Sequence, residues 1–445
     1  MTHAVPPPLG RRPLAAAALA ACALFARPAL ALQPVTEFVA HARTWNPQNR
    51  AAHATTAQRD AELGVSTGNL MPNFAATGMY TQNQYEVTTA ALIPPGSLPM
   101  GITFPNAVIQ PQNQFDGSLI LNVPLINIAT WDRRAAAEAT LAGARADEAN
   151  SEVMVEKSVV GDYYTLLGDE AVLLSAMKNL EIAQHNVKLA RDRKESGTGS
   201  ELDVQRGLAD QAKAEQSVTA AQLGVTNIRR DLYSLSGLMA EPASGFPEDD
   251  LHEEESLARW TGQMNTVPSV ESAAANRATV EEEARAVKAI LLPTLSGTAE
   301  EKFTNATAFT GGHSAIYLFQ LTASWKVDTT FFAQARAQNA AVAAARANEQ
   351  HARQVAEDAV FRDWHQVRAD IESARSARAQ VVATRLAASL AEDRYESGVA
   401  TQLDVLQARQ DAFSADVARI QADADLAYAR VALRLDAGQL VKGAR

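Results

Sequence analysis

Two aspartates, Asp203 and Asp404, are the side chains whose setting most invites chemistry. Each lies in a Gly-x-x-x-x-Leu-Asp-Val segment, Gly197 to Val204 and Gly398 to Val405. A carboxylate just after a glycine turn can accept the free N–H groups of a starting helix, or offset its dipole, an effect of about 0.3–2 kcal/mol. Other chemistries lack their residues. The eight histidines (His3, His41, His53, His185, His252, His313, His351, His365) show no metal-ligand spacing. Gly197-Thr198-Gly199 is too short for a dinucleotide loop and follows no strand. No Ser-His-Asp arrangement is suggested, and the other acids are spread along helices as solvated faces. The sequence does not read as an enzyme, and no cofactor is expected.

The aspartate segments belong to a longer repeat. Leu189 to Val204 reads LARDRKESGTGSELDV and Leu390 to Val405 reads LAEDRYESGVATQLDV, identical at 10 of 16 positions at an offset of 201. A repeat at this distance implies two copies of a whole structural unit, not a short-period solenoid. Gly197 and Gly398 supply the positive φ that a tight helix-to-helix turn needs.

The elements that carry these turns can be followed outward. Asn46-Pro47 and Val267-Pro268, at an offset of 221, each open an Ala- and charge-rich helix with Pro in the tolerated first turn. These helices end at Leu70-Met71-Pro72 and Leu291-Leu292-Pro293, again 221 apart. The first unit therefore carries about 20 extra residues before its tip. Residues 115–125 alternate Leu119, Leu121, Val123 and Leu125 with Ser118, Ile120, Asn122 and Pro124, a strand with one apolar and one mostly polar face. Residues 315–325 alternate likewise, and weaker partners span Phe74 to Val87 and Leu295 to Phe309. The extra residues fall to a Pro-rich, irregular loop from Ala90 to Gln114.

Long Pro-free helical runs follow, about Ile128 to Lys194 and Thr329 to Tyr395, roughly 100 Å each at 1.5 Å per residue. Val155, Val159, Tyr163, Leu166, Leu173, Met177, Leu180 and Val187 set a near-heptad seam in the first. After the second tip the seam is Leu403, Leu406, Phe413, Val417, Ile420, Ala424, Ala427 and Val431. Its equivalent after the first is the more polar Leu202, Gln205, Ala209, Ala212, Gln216, Thr219 and Leu223. Residues 241–262, with Pro242, Pro247 and the acids from Glu248 to Glu255, break both periodicities and read as a linker. The expected organisation is a leader over 1–31, a first repeat over 32–240 with its tip at 195–204, the linker, and a second repeat over 263–445 with its tip at 396–405.

Bulk properties narrow the partners. A net charge of −11 excludes nucleic acid as the main partner. No stretch beyond about residue 35 is apolar over about 18 residues, the length of a membrane-spanning helix. The N-terminus has Arg11-Arg12, an apolar run from Leu14 to Phe25, and Ala29-Leu30-Ala31 as a cleavage site. Leu19-Ala20-Ala21-Cys22 also fits a lipobox, with Cys22 lipidated, and Arg11-Arg12 a twin-arginine signal. Every reading exports the chain.

Four strands cannot close a barrel, and an open edge in lipid leaves unpaired backbone groups at several kcal/mol each. Three chains would supply twelve strands, within the known range of membrane barrels. Tyr80, Phe303, Tyr317 and Trp325, with Tyr85, Trp131, Phe331 and Phe332, fall where interfacial aromatic belts would lie. The competing reading is a periplasmic coiled-coil adaptor or scaffold, which would show one hairpin and flanking all-β domains.

Paired helices ending in Leu-x-Pro, strand pairs, long helices and two Gly-x-x-x-x-Leu-Asp-Val tips together resemble the TolC-like outer-membrane efflux proteins, over nearly the whole mature chain. The resemblance implies a mainly α fold with a membrane β-barrel: a homotrimer, a 12-stranded barrel in outer-membrane lipid, and a periplasmic α-helical barrel narrowing at the tips. It implies a passive exit duct of a tripartite efflux or type I secretion system, docked on a periplasmic adaptor that links it to an inner-membrane transporter of RND, ABC or MFS type. It further implies a ring of carboxylates at the entrance, with Asp404 at a constriction position and Gln407 where a second acid would stand. Tyr395 matches a latch aromatic, expected to face Asp203. The basic latch partner falls at Ala400, so that contact is lost unless Arg394 or Arg409 replaces it. Ser196, Gly197, Thr198 and Leu202, with Ser397, Gly398, Val399 and Leu403, are the implied adaptor-docking residues.

Overall fold

The computed structural model describes residues 32–92, 107–243, 246, 248–262 and 264–439. The leader, its cleavage site and Cys22 lie outside the described residues. Two short helices open the described chain: α1 (Val35–Trp45) and α2 (Pro47–Gly68). Then come β1 (Asn73–Gln82), β2 (Val87–Thr88), the single turn α3 (Thr89–Leu92), β3 (Val108–Gln110) and β4 (Asn113–Ile126). The first hairpin is α4 (Ile128–Glu195) and α5 (Glu201–Ser236). After α6 (Leu257–Thr261), the second repeat has α7 (Pro268–Ala289), β5 (Thr294–Thr304), β6 (Ala315–Ser324), α8 (Thr330–Glu396) and α9 (Gln402–Asp436).

Local sequence accounts for most boundaries. Pro47 and Pro268 stand at first helical positions, where a missing N–H costs nothing and φ is already set. The period-2 segments pair into one antiparallel sheet of order β1-β4-β5-β6, with β1 and β6 at its edges. Polar rungs cross one face: Thr77 Oγ1 and Ser118 Oγ are 2.7 Å apart, Thr298 Oγ1 donates to Asn122 Oδ1 at 2.9 Å, and Thr304 Oγ1 donates to Asp116 Oδ1 at 2.8 Å. The alternate residues Leu119, Leu121 and Leu125 are exposed, as are Tyr317, Phe319 and Leu321 on β6. Residues 83–112 join β1 to β4 and residues 305–314 join β5 to β6, so the extra length lies where the sequence puts it. Residues 93–106 of that loop lie outside the described residues; its flanks pair as β2 and β3, a small sheet the Pro-rich composition did not announce.

The chain divides into two compact units. Among the described residues, one contains those of 32–47, 153–260 and 360–439; the other contains those of 48–152 and 261–359. In the first, Phe38, Val39 and Ala42 of α1 pack with Val155, Val159, Val160 and Leu166 of α4 and with Val225 and Leu232 of α5. Each large apolar side chain buried there contributes about 1.5–3 kcal/mol. In the second, Arg277 and Glu281 of α7 pair with Glu349 and Arg346 of α8, at 2.6 and 2.9 Å. No helix among the described residues is long and apolar enough to cross a membrane.

One expectation needs correction, and one gains detail. The heptad seam proposed for α5 is its exposed face: Leu202, Gln205, Ala209, Ala212, Gln216, Thr219 and Leu223 are all exposed. The buried face is Val204, Gly207, Ala214, Val225 and Leu232. Glycine and alanine mark it because α4 approaches closely there, with Val187 only 3.3 Å from where a Cβ of Gly207 would sit. The seam of α4 holds except at Met177, which is 53% exposed. The added detail concerns the connecting segment, whose acids are engaged. Asp249 accepts from Arg430 Nε at 2.9 Å and Nη2 at 3.0 Å, and Glu254 accepts from Nη1 at 2.5 Å, with Arg430 and Glu254 each 6% exposed. The run docks on α9 because a buried guanidinium needs anionic partners.

Candidate functional site

Both tips are built alike. Gly197 and Gly398 have φ of 77° and 76°, the left-handed conformation that ends α4 and α8. The freed carbonyls are capped from beyond the turn. Arg193 O accepts from Thr198 N and Gly199 N, both at 2.9 Å; Arg394 O accepts from Val399 N at 2.9 Å and Ala400 N at 3.0 Å. The returning helices start on reciprocal capping boxes. Ser200 Oγ accepts from Asp203 N at 3.1 Å, while Asp203 Oδ2 accepts from Ser200 N at 3.2 Å. Thr401 Oγ1 accepts from Asp404 N at 3.3 Å, while Asp404 Oδ2 accepts from Thr401 N at 2.8 Å. The capping role that the sequence allows for both aspartates is therefore present.

The Thr401 hydroxyl and N–H hold the Asp404 carboxyl below the usual carboxylate range, with help from the Arg394 charge. Asp404 is exposed and anionic at neutral pH, so it can present a charge while capping its helix. One turn on, Gln407 Nε2 donates to Asp411 Oδ1 at 3.0 Å. Ser196, Gly197, Thr198, Ser397 and Gly398 are exposed, as are the apolar Leu202, Val399 and Leu403, at 57%, 69% and 53%.

The tips differ where their sequences differ. Lys194 forms an ion pair with Glu201 across the first turn; the second has Tyr395 and Gln402 there. The Asp203 carboxylate is engaged with Ser200. The Arg193 guanidinium lies over the Tyr395 ring, 4.1 Å from its centroid, joining the two hairpins near their tips. Sequence reading missed Arg193, although a cation opposite the one tip tyrosine was a usable signal. Arg409 Nε donates to Glu392 Oε1 at 2.6 Å, within its own hairpin, which leaves Arg394 nearer the tip charge.

The belt aromatics stand on the sheet and its margin. Tyr80 lies 5.1 Å from Phe115 between ring centroids and donates to Asn113 Oδ1 at 2.9 Å. Tyr317 contacts Phe319 at 5.7 Å, and Trp325 Nε1 donates to Leu291 O at 2.9 Å. Phe303, on β5, is 41% exposed. Aromatics that pair a polar tip with an exposed apolar body suit a lipid–water boundary.

A strand sheet exposing its apolar face, carried with two capped helical hairpins, defines a class: channel walls of the bacterial outer membrane. The model of the outer membrane efflux protein family matches residues 39–238 and again 265–439, and the chain belongs to that family. Outer membrane efflux protein BepC of Brucella suis biovar 1 (strain 1330) is 25% identical over 321 residues, 70% of this chain and 69% of BepC. A membrane protein from Pseudomonas aeruginosa superposes with a TM-score of 0.78 at 17% identity, covering 97% of this chain and 99% of that one. The Campylobacter jejuni CmeC outer membrane channel gives 0.76 at 18% identity, covering 92% and 86%. The fold is thus TolC-like, mainly α with membrane strands. The family comprises passive conduits, not enzymes, and places the chain in the outer membrane, extending into the periplasm.

Proposed function

We propose that three copies of the chain form the exit duct of a tripartite efflux system or of a type I secretion system. The duct docks on a periplasmic adaptor, which joins it to an inner-membrane transporter of RND, ABC or MFS type. The supporting observation is the sheet: its edges β1 and β6 are open and its leucine and aromatic face is exposed. In hydrocarbon those edges would leave backbone groups unpaired at several kcal/mol each. The four strands alternate in direction, so β6 of one copy meets β1 of the next antiparallel. Three copies close a barrel of twelve strands, an even number in the range of such barrels. Tyr80, Phe303, Tyr317 and Trp325 then lie at its lipid boundaries.

The exposed tip residues supply the periplasmic mouth. Ser196, Gly197, Thr198, Leu202, Ser397, Gly398, Val399 and Leu403 meet the adaptor, and Asp404 contributes a ring of three carboxylates that favours cations. Asp203 lies near the same mouth. Tyr395 and Gln407 complete the gate, with a polar amide where a second acid ring would strengthen selectivity.

The test of the duct is the mobility of outer-membrane extract on SDS gels with and without boiling. A heat-sensitive trimer is expected. A monomer in the soluble periplasmic fraction would reject the duct and favour the adaptor or scaffold reading. For the gate, an Asp404→Ala channel in a planar bilayer is expected to lose cation preference, and unchanged selectivity would sink the carboxylate ring.

A further inference from the structure

Near the tips, a cavity of about 150 Å³ lies between α4 of the first hairpin and α8 and α9 of the second. A single water needs about 10–15 Å³, so the space admits a molecule of several heavy atoms. Leu189, Val405 and Leu406 give it an apolar wall. The rest of the lining is polar and comes from all three helices.

That polar lining is incomplete. Asn186 Nδ2 of α4, with Gln402 Oε1 and Arg409 Nη1 of α9, are buried atoms with no hydrogen-bond partner among the described residues. Gln402 is only 6% exposed. It is the first residue of α9, and its amide nitrogen lies 3.6 Å from where a Cβ of Gly207 would sit, so it is wedged against the first hairpin. Buried polar atoms are nearly always paired. Two donors and one acceptor on one cavity describe what completes them: an acceptor for Asn186 and Arg409, and a donor for Gln402.

Charge narrows the ligand further. Glu392 Oε1 accepts from Arg409 Nε at 2.6 Å, so the guanidinium already has its counterion. Glu396, exposed on the same cavity, adds negative charge that a simple anion would face unopposed. A zwitterion keeps the balance. Its carboxylate can take charge-assisted bonds from the guanidinium and amide N–H groups, and its ammonium can donate to the Gln402 carbonyl.

The set is particular to this place. At 201 residues' distance, Asn186, Gln402 and Arg409 are answered by Ala387, Glu201 and Leu208. Glu201 is exposed and pairs with Lys194. Nothing in the general build of a tip therefore calls for these three polar groups.

We propose that this cavity binds a free α-amino acid with a small side chain. The carboxylate sits on Arg409 Nη1 and Asn186 Nδ2, the ammonium on Gln402 Oε1, and the side chain against the apolar wall. The bound molecule bridges α4 to α9 beside the contact of Arg193 with Tyr395. The site is separate from the path of exported cargo and does not depend on the oligomer proposed above.

Saturation-transfer NMR on the full-length protein in detergent tests the site. L-alanine is the probe, with propionate and ethylamine as fragments that each keep one of its charges. Alanine should bind about tenfold or more tightly than either fragment. Gln402→Leu and Asn186→Leu should each weaken alanine by about tenfold or more, while Glu201→Gln at the first tip leaves it unchanged. Far-UV circular dichroism checks that the variants fold. Should the leucine variants unfold, Gln402→Glu keeps the size of the side chain and should widen the preference for alanine over propionate. Propionate binding as tightly as alanine would overturn the ammonium subsite and with it the amino-acid class. Alanine binding that none of the cavity variants changes would place the ligand elsewhere. No transfer to any probe would mean that the cavity holds water alone, and the proposal falls.

Discussion

At one level of the repeat the two hairpins make opposite choices. The second holds Arg378, Asp423 and Arg419. Asp423 is fully buried, 2.7 Å from Arg378 Nη2 and 3.1 Å from Arg419 Nη1. The first holds Met177, Gln222 and Val218 at the equivalent positions, with Met177 and Gln222 exposed. The reason lies in the connecting segment. Arg378 also donates to Asp249 O at 2.8 Å, and Arg430, further along α9, is wrapped by Asp249, His252 and Glu254. Where that segment excludes water, charges must be paired inside the protein; where it is absent, Met and Gln suffice. One duplicated scaffold thus carries two interiors: the non-repeated segment touches α4 of the first hairpin through Ala243 N and Glu170, but sets its buried acids against α9 of the second.

The largest expected effect breaks or keeps this contrast directly. Asp423→Ala leaves Arg378 and Arg419 facing each other without their carboxylate and should cost about 3–5 kcal/mol in urea unfolding. Gln222→Ala, its counterpart, should stay within about 0.5 kcal/mol. Equal costs would mean the ion triad is not what separates the hairpins. Arg430→Ala should likewise cost about 3–5 kcal/mol by stranding Asp249 and Glu254. It should also open residues 248–256 to limited proteolysis, and unchanged cleavage would show that the segment docks by other contacts.

Next come the positions where the hairpins agree. Leu232→Ala and Leu433→Ala remove equivalent, fully buried side chains, and each should cost about 2–5 kcal/mol. A difference between them beyond that range would show that their cavities collapse differently. At the tips, Ser200→Ala and Thr401→Ala each remove one capping box and should cost about 1 kcal/mol. Amide exchange in the first turns of α5 and α9 would report it.

The smallest effect is the pH dependence. Burial, with Asp231 nearby, pushes Asp162 up to about 6; burial, with the neighbouring Asp436, pushes Asp363 to about 6 against the pull of Lys157. Folded values above the unfolded 3.8 mean stability that is full below about pH 4 and lost as pH rises through 6. With both groups half-exposed the effect is of order 1 kcal/mol. Asp162→Asn and Asp363→Asn should each flatten the fall in melting temperature between pH 4 and 7, and an unchanged slope would assign it elsewhere.

Much of this was legible beforehand. The strands from alternation, the long helices from the lack of proline, and the tips from Gly197 and Gly398 all stand in the structure where the spacing puts them. The seam of α5 was misread because its buried stripe includes Gly207 and Ala214, which carry little hydrophobic signal, whereas the open stripe carries Leu202 and Leu223. The buried partner acids were hidden in a run that composition reads as solvated.

By itself the sequence determined the helices, strands, turns and capping boxes, because these depend on residues a few positions apart. The tertiary structure alone decided which face of α5 stays open and which acids of the connecting segment are buried. Those outcomes turn on pairs such as Arg430 and Asp249, 181 positions apart, whose partnership no local pattern encodes.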